Sequence, residues 1–215
     1  PSASQPYIEM TECIPEPIFD NYGKTIIHHI QTSDYINNPE KLIFKHNFVI
    51  PVYAINTNIN VSKVTKLSEK NRLLYLTYTK ADECVPADAD EIKKKKKKIV
   101  GKEINPYKRA QLIYNYLIDN YTFSPEIYNS ARNSLKLISS ETGDAYDFSV
   151  IFCALARSLD IPAMPISGIL VDSNKKAKNH WWCEIYLENF GWLPLDPGLG
   201  AGMDFNLYHE PEDRK

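Results

Sequence analysis

Residues able to do chemistry are concentrated in the last third of the chain, in three short segments. Gly143-Asp144-Ala145-Tyr146-Asp147-Phe148-Ser149 opens an apolar-periodic stretch, Asn179-His180-Trp181-Trp182 comes next, and Gly191-Trp192-Leu193-Pro194-Leu195-Asp196-Pro197 closes the set. Histidine is the side chain that exchanges a proton near neutrality, and a carboxylate beside it fixes its tautomer and stabilises its charged form. His180 and Asp196 have the residue types of such a base and its orienter. Each alone says little, since a strand histidine is usually a surface residue and an Asp before Pro usually belongs to a turn.

Strand parity ties the two together. His180, Trp182, Glu184 and Tyr186 share one face of a strand, and Trp181, Cys183, Ile185 and Leu187 share the other, apolar face, so His180 is expected to point away from the core. In the next strand Trp192, Pro194 and Asp196 lie on one face. A hairpin turn centred on Glu188 sets His180 opposite Asp196, and one centred on Asn189 makes them diagonal neighbours still within side-chain reach. The first segment supplies a helix start. Phe148, Ile151, Phe152, Leu155 and Leu159 recur at helical spacing, Gly143 and Asp144 form the entry, and position 145 falls in the first turn.

The elements that must hold these residues follow from the same patterns. Lys24 to Ile30, Leu42 to Val64 and Asn71 to Thr79 read as β structure, with Ile55, Thr57, Ile59 and Val61 alternating against Asn56, Asn58, Asn60 and Ser62. From Pro86 the character turns helical: acidic residues up to Glu91 precede Lys93 to Lys98, the charge order that a helix dipole favours. Six successive lysines spread around a whole helix circumference and form a solvated face, not a binding patch. A second helix starts at Pro106 and carries the stripe Ala110, Ile113, Tyr114, Leu117 and Ile118 to about Asn120. Residues 121–140 read as irregular, and Asp160-Ile161-Pro162-Ala163 stops the helix that begins near position 145 and starts a strand through Val171. The expected organisation is a β-rich segment over 1–85 and a core domain over 86–215.

In combination these motifs resemble the transglutaminase-like branch of the papain fold, over roughly Asn105 to Gly200. The stretch Leu155 to Ala163 resembles that family's passage from helix to strand, with Asp160 where a glycine is usual and Met164 where an arginine is common, and Gly168 fits its following strand. The resemblance implies an α+β fold with a helix packed on an antiparallel sheet. It also implies a Cys-His-Asp triad in which Ala145 stands at the nucleophile position, His180 is the base and Asp196 the orienter. Members transfer acyl groups through a cysteine thioester, so the implied outcomes are crosslinking, deamidation or hydrolysis of protein and peptide amides. A thiol at a helix N-terminus is activated by the partial positive charge there, and the free N–H groups of the first turn can hold an oxyanion. A methyl group can do neither attack nor departure, so the chain with Ala145 is expected to be inactive.

Two readings of the alanine stay open. One is a nucleophilic cysteine replaced to stop turnover, and the other is a natural pseudoenzyme whose groove binds a peptide or protein. Trp182 and Trp192 are the candidate substrate-binding residues, and Trp181 on the apolar face is expected to pack. Cys153 lies more than two turns beyond position 145 and Cys183 is on the opposite strand face from His180, so both read as small core residues.

Composition bounds the partners. With 43% apolar and 24% charged residues and a net charge of −2, the chain has the make-up of a globular domain and lacks the basic surplus that phosphate binding needs. The expected partner is a protein or peptide substrate, with no nucleic acid and no membrane span. The four cysteines show no C-x-x-C spacing, so no zinc site, metal or cofactor is expected, and no acidic loop has the ligand spacing that the calcium of animal transglutaminases would need. The β-rich front half and the start at Pro1 suggest an exported or surface-associated domain.

Overall fold

The computed structural model of the chain describes residues 9–20, 25–28, 33, 40, 42–51, 57–66, 68–124 and 134–205. The chain divides into two compact units, Pro1–Thr57 and Asn58–Lys215, so the division falls before the change of composition at 85/86.

The first unit holds four short strands: β1 (Glu9–Ile14), β2 (Ile18–Asp20), β3 (Thr25–Ile27) and β4 (Lys45–Val49). β1 pairs antiparallel with β4, with Cys13 opposite His46, and β2 pairs antiparallel with β3. None of its described apolar side chains is buried; Ile14, Ile18, Phe44 and Val49 are all exposed.

The second unit is α+β. Its three-stranded antiparallel sheet runs β7 (Ala163–Val171), β8 (Ala177–Leu187), β9 (Gly191–Leu195), with β8 central. Five helices precede or flank that sheet: α1 (Arg72–Tyr78), α2 (Asp90–Val100), α3 (Pro106–Asn120), α4 (Lys136–Ser140) and α5 (Ala145–Arg157). A four-residue α6 (Pro197–Gly200) follows β9, and the two-residue strands β5 (Thr122–Phe123) and β6 (Thr142–Gly143) pair in parallel just before α5.

α5 is the centre of this unit. It packs on β7, β8, α3 and α6, and every residue from Asp147 to Arg157 is buried. A helix apolar on nearly all sides can only be a core helix. Phe148, Ile151, Phe152 and Leu155 fill the interior with Ile113 and Leu117 of α3, as their spacing predicts. At its far end the buried Arg157 donates from Nε to Ala163 O and from an Nη to Lys80 O and Asp82 Oδ2, the last at 2.6 Å. Burial alone would raise the Asp82 carboxyl, but hydrogen bonds from Arg157 and from Val85 and Cys84 N–H outweigh it and hold the group low. The lysine run also matches its solvated reading in part: Ile92 and Val100 give α2 its buried seam, while Lys95 reaches Tyr116 Oη at 3.1 Å and Lys96 reaches Ser158 O.

Two expected strands are not strands over their described residues. Residues 71–79 form α1, because at helical spacing Tyr75 reaches Asp160 Oδ1 at 2.8 Å and Tyr78 sets its ring edge-on to Trp192 at 5.0 Å. Thr77 and Thr79 return their hydroxyls to the carbonyls four residues back, so β-prone side chains are accommodated in a helix. Of the alternating stretch 55–62, residues 55 and 56 lie outside the described residues, and the rest is irregular until a 3-10 turn at Val61–Lys63. There Asn60 Oδ1 accepts from both Ser62 N and Ser62 Oγ, a local bond that competes with strand pairing.

Because Phe152 is fully buried against the sheet, Phe152→Ala should cost about 3–5 kcal/mol. Urea unfolding should show the loss as a lower midpoint at unchanged slope.

Candidate active site

Local sequence fixes the start of α5. Asp144 is the N-cap: its Oδ1 accepts from Asp147 N at 3.1 Å, while Asp147 Oδ2 accepts from Asp144 N at 3.1 Å, a reciprocal capping box. Lys136 Nζ lies 3.4 Å from Asp147 Oδ2. Glycine is required just before it, since a Cβ on Gly143 would come 2.7 Å from Asp147 Cβ and 3.0 Å from Leu137 Cδ1. Ala145 is therefore the first helical residue, at the positive end of the helix dipole.

The hairpin register brings the other two candidates together. Tyr186 pairs with Trp192 and Cys183 with Leu195, so the turn is centred on Asn189, and His180 and Asp196 are diagonal neighbours. His180 Nε2 and Asp196 Oδ2 are 2.5 Å apart. With Nε2 committed to the carboxylate, Nδ1 is the ring nitrogen left for proton transfer. Asp196 also caps α6, its Oδ1 accepting from Leu199 N at 2.9 Å. The turn and the triad readings of this residue are thus both realised, one by each oxygen.

α6 in turn packs against the start of α5. A Cβ on Gly198 would lie 3.3 Å from Ala145 Cα and 3.4 Å from Asp196 Oδ1, so a larger residue there would need the two helix starts to part by a few tenths of an ångström. Tyr114 of α3 supports the arrangement, its hydroxyl donating to Asp196 O at 3.3 Å. Burial, reinforced by the nearby Asp196 charge, pushes the Tyr114 phenol up to about 12, so it remains a donor at any physiological pH. A Cβ on Gly200 would meet that hydroxyl at 2.2 Å.

A cleft of about 480 Å³ opens beside these groups, lined by Ala145, His180, Tyr146, Trp181, Lys178 and Asp204 among others. His180 was expected to point away from the core, yet it is 3% exposed; α6 packs against its end of β8. The indoles are arranged differently from expectation. Trp181, expected to pack, lines the cleft and meets Tyr146 edge-on at 5.0 Å. Neither Trp182 nor Trp192 lines it. Trp182 lies over Gly168, where a Cβ would come 2.6 Å from its ring, and Trp192 is held by Tyr78 and Tyr186. A larger cavity, about 750 Å³, lies at the other end of β8 around Arg72, Arg109 and Glu188 and touches none of the candidate site residues.

The two thiols nearest in sequence to the candidate residues, Cys153 and Cys183, are not substitutes for a nucleophile at 145. Cys153 and Cys183 are fully buried, Cys183 Sγ donates to Ser149 O at 3.3 Å, and burial pushes its thiol well up. Sequence reasoning missed Tyr114, Gly198 and Gly200. The signal for the glycines was present in Asp196-Pro197-Gly198-Leu199-Gly200, two residues without side chains directly after the candidate carboxylate.

Three comparisons bear on this geometry. Residues 93–197 match the family model described as "Transglutaminase-like superfamily". A curated protein from Haemophilus influenzae, named only as an uncharacterized protein, is 29% identical over 141 residues, 54% of this chain and 38% of that protein. Among solved structures, a "Putative Cysteine Protease" from Cytophaga hutchinsonii superposes with a TM-score of 0.51 at 22% identity, over 65% of this chain and 45% of that one, a likeness of fold. The periplasmic domain of TgpA from Pseudomonas aeruginosa superposes with a TM-score of 0.49 at 11% identity, over 60% and 48%. The chain thus spans less than half the length of each of these relatives. No helix among the described residues is long and apolar enough to cross a membrane.

Glu184, buried on β8, has its carboxyl raised by that burial. A raised folded pKa means that the native state binds the proton more tightly than the unfolded chain, whose value is about 4.3. The stabilisation this provides is complete below about pH 4 and is lost as pH rises through the folded value. Glu184→Gln should therefore be more stable than the parent at pH 7 and equal to it near pH 3.5. Urea midpoints at the two pH values test this, and an unchanged midpoint at pH 7 would contradict it.

Proposed function

We propose that this chain, which belongs to the transglutaminase-like superfamily through residues 93–197, carries a cysteine acyl-transfer site of the Cys-His-Asp type whose nucleophile position is held by Ala145. The chain as it stands then binds a protein or peptide substrate without turning it over. The observation that carries this reading is the 2.5 Å His180–Asp196 pair on the cleft that also contains the first residue of α5.

With cysteine at position 145 the chemistry runs as follows. The imidazole of His180 takes the thiol proton, and the charged ring is stabilised by Asp196. The thiolate attacks the carbonyl carbon of an amide, and free N–H groups of the α5 start would serve as donors to the developing oxyanion. The imidazolium returns its proton to the leaving nitrogen, the C–N bond breaks, and a thioester remains. Water or an amine then attacks the thioester, giving up a proton to His180 as the C–S bond breaks and the thiol is regenerated. With Ala145 the first bond cannot form, while the cleft and its aromatic wall of Trp181 and Tyr146 are intact.

The test is maleimide labelling of Ala145→Cys across pH, with the parent chain as background and its exposed Cys84 as the ordinary thiol. At pH 6–7, where an unperturbed thiol of pKa about 8.5 is mostly protonated, the new thiol should react at least ~10-fold faster than Cys84. Adding His180→Ala should remove the excess, and Asp196→Asn, which retains a capping oxygen for α6, should reduce it. A rate equal to that of Cys84 at every pH, or one indifferent to His180→Ala, would overturn the proposal.

A further inference from the structure

Away from the cleft, in the first unit, three potential metal ligands converge from distant positions: Cys13 on β1, His28 just after β3, and His46 on β4. Cys13 and His46 are register partners across the β1–β4 pair, and His28 arrives from the other two-stranded sheet. Cys13 Sγ lies 3.9 Å from His28 Nε2, the two Nε2 atoms are 2.8 Å apart, and all three ligand atoms fall within 4.8 Å of one another. We propose that Cys13, His28 and His46 form a binding site for a divalent, borderline-soft transition metal of the zinc type, which ties the two sheets of this unit together.

Ligand chemistry and geometry both favour this. One thiolate and two neutral imidazoles suit zinc, and metal–nitrogen distances of about 2.0–2.1 Å and metal–sulfur of about 2.3 Å put tetrahedral ligand atoms roughly 3.3–3.7 Å apart. The present separations straddle that range. Opening the imidazole pair by about half an ångström and drawing the sulfur in by a few tenths toward His28 and by up to about one ångström toward His46 brings the three to those distances. Among the described residues the His28 side chain has no polar partner outside the cluster, its buried Nδ1 being without one. Phe44 and Phe48, both partly exposed, stand edge-on to the two imidazoles at 5.3 and 5.8 Å. The nearest carboxylate in sequence, Glu12, is occupied by Lys45 Nζ at 2.7 Å and Asn47 Nδ2 at 2.6 Å. Among the described residues no fourth ligand joins the three, so water or a residue outside that set takes the remaining position.

A metal also supplies what this unit otherwise lacks. Its described strands pair only two by two and none of its described apolar side chains is buried, and two-stranded sheets are marginal in water. Small domains in that condition are commonly held by a metal, because binding free energy there is folding free energy. Binding displaces the thiol proton of Cys13, so apparent affinity should rise with pH.

The experiment uses the untagged full chain titrated with Co²⁺ as the probe and then displaced by Zn²⁺. One Co²⁺ per chain, with a thiolate-to-cobalt charge-transfer band and tetrahedral visible bands, is expected. Cys13→Ser should abolish the charge-transfer band, His46→Ala should weaken binding at least ~10-fold, and Cys84→Ser should leave the spectrum unchanged. X-ray absorption at the zinc edge of the unsubstituted chain needs no variant to fold, and should show one sulfur and at least two imidazole nitrogens. Absence of a sulfur ligand there, or a charge-transfer band that survives Cys13→Ser, would overturn the proposal.

Discussion

Asp196 is the residue on which the rest of the site depends, because its two oxygens serve two structures at once. Oδ2 holds His180, and Oδ1 caps α6, whose Gly198 lies against Ala145. The position of the carboxylate is itself set by strand register. A one-residue slip of β9 would carry Asp196 to the other face of the sheet. The register is pinned at the turn, where Asn189 and Gly191 adopt left-handed backbone conformations with φ of 71° and 85°. That turn is tied down in its turn: Asn189 Nδ2 donates to Lys63 O, and Glu188 Oε2 accepts from Ser68 N and Asn71 Nδ2. The segment before α1, far from the cleft in sequence, therefore fixes where the histidine finds its partner.

The start of α5 carries a conflict between two requirements. A helix N-terminus favours negative charge and so would favour a thiolate or an oxyanion there. Yet two carboxylates already occupy that end, Asp144 and Asp147, and their mutual capping consumes two of the first-turn N–H groups. Lys136 sits close enough to Asp147 to offset one of those charges. The net field at position 145 is thus weaker than an uncapped helix start would give, and more of any thiol activation falls to His180. Order is what the capping box gives in return: position 145 is held in one geometry, which positioning catalysis needs more than a marginal gain in field.

How much of this was legible in the sequence depended on whether the deciding contact was local. α3 and α5 were readable because apolar residues repeat over more than three turns and each begins with a strong cap, Asn105-Pro106 and Asp144. The His180–Asp196 relation was readable because strand parity and hairpin symmetry are arithmetic. α1 was not, since its Tyr and Thr residues favour strands although its leucines favour helix, and distant partners, Asp160 and Trp192, hold its helical form. The placement of the indoles around the cleft differs from the sequence expectation for a related reason. Parity assigned Trp181 to the apolar face, but the start of α5 ends on that face, so its aromatic ring borders a cleft. The Cys13, His28 and His46 cluster left no motif at all, because residues spaced by 15 and 18 positions meet only through strand pairing.

On the acyl-transfer reading, binding and chemistry at this site are carried by different atoms, and that separation gives the alanine a definite physical meaning. Substrate affinity comes from contacts made in the ground state, with Trp181, Tyr146 and the rest of the cleft wall, whereas rate comes from interactions that strengthen only as the tetrahedral intermediate forms. Removing one sulfur atom deletes the covalent step and leaves the first set of contacts nearly untouched. The His180–Asp196 pair does not collapse when the nucleophile is missing, because Asp196 is independently required to cap α6 and His180 is enclosed at 3% exposure with that carboxylate as its hydrogen-bond partner. The same capping that makes the pair structurally self-sufficient also holds the wall of the cleft beside position 145. On the acyl-transfer reading, a chain with Ala145 would differ from its cysteine counterpart in turnover and not in recognition.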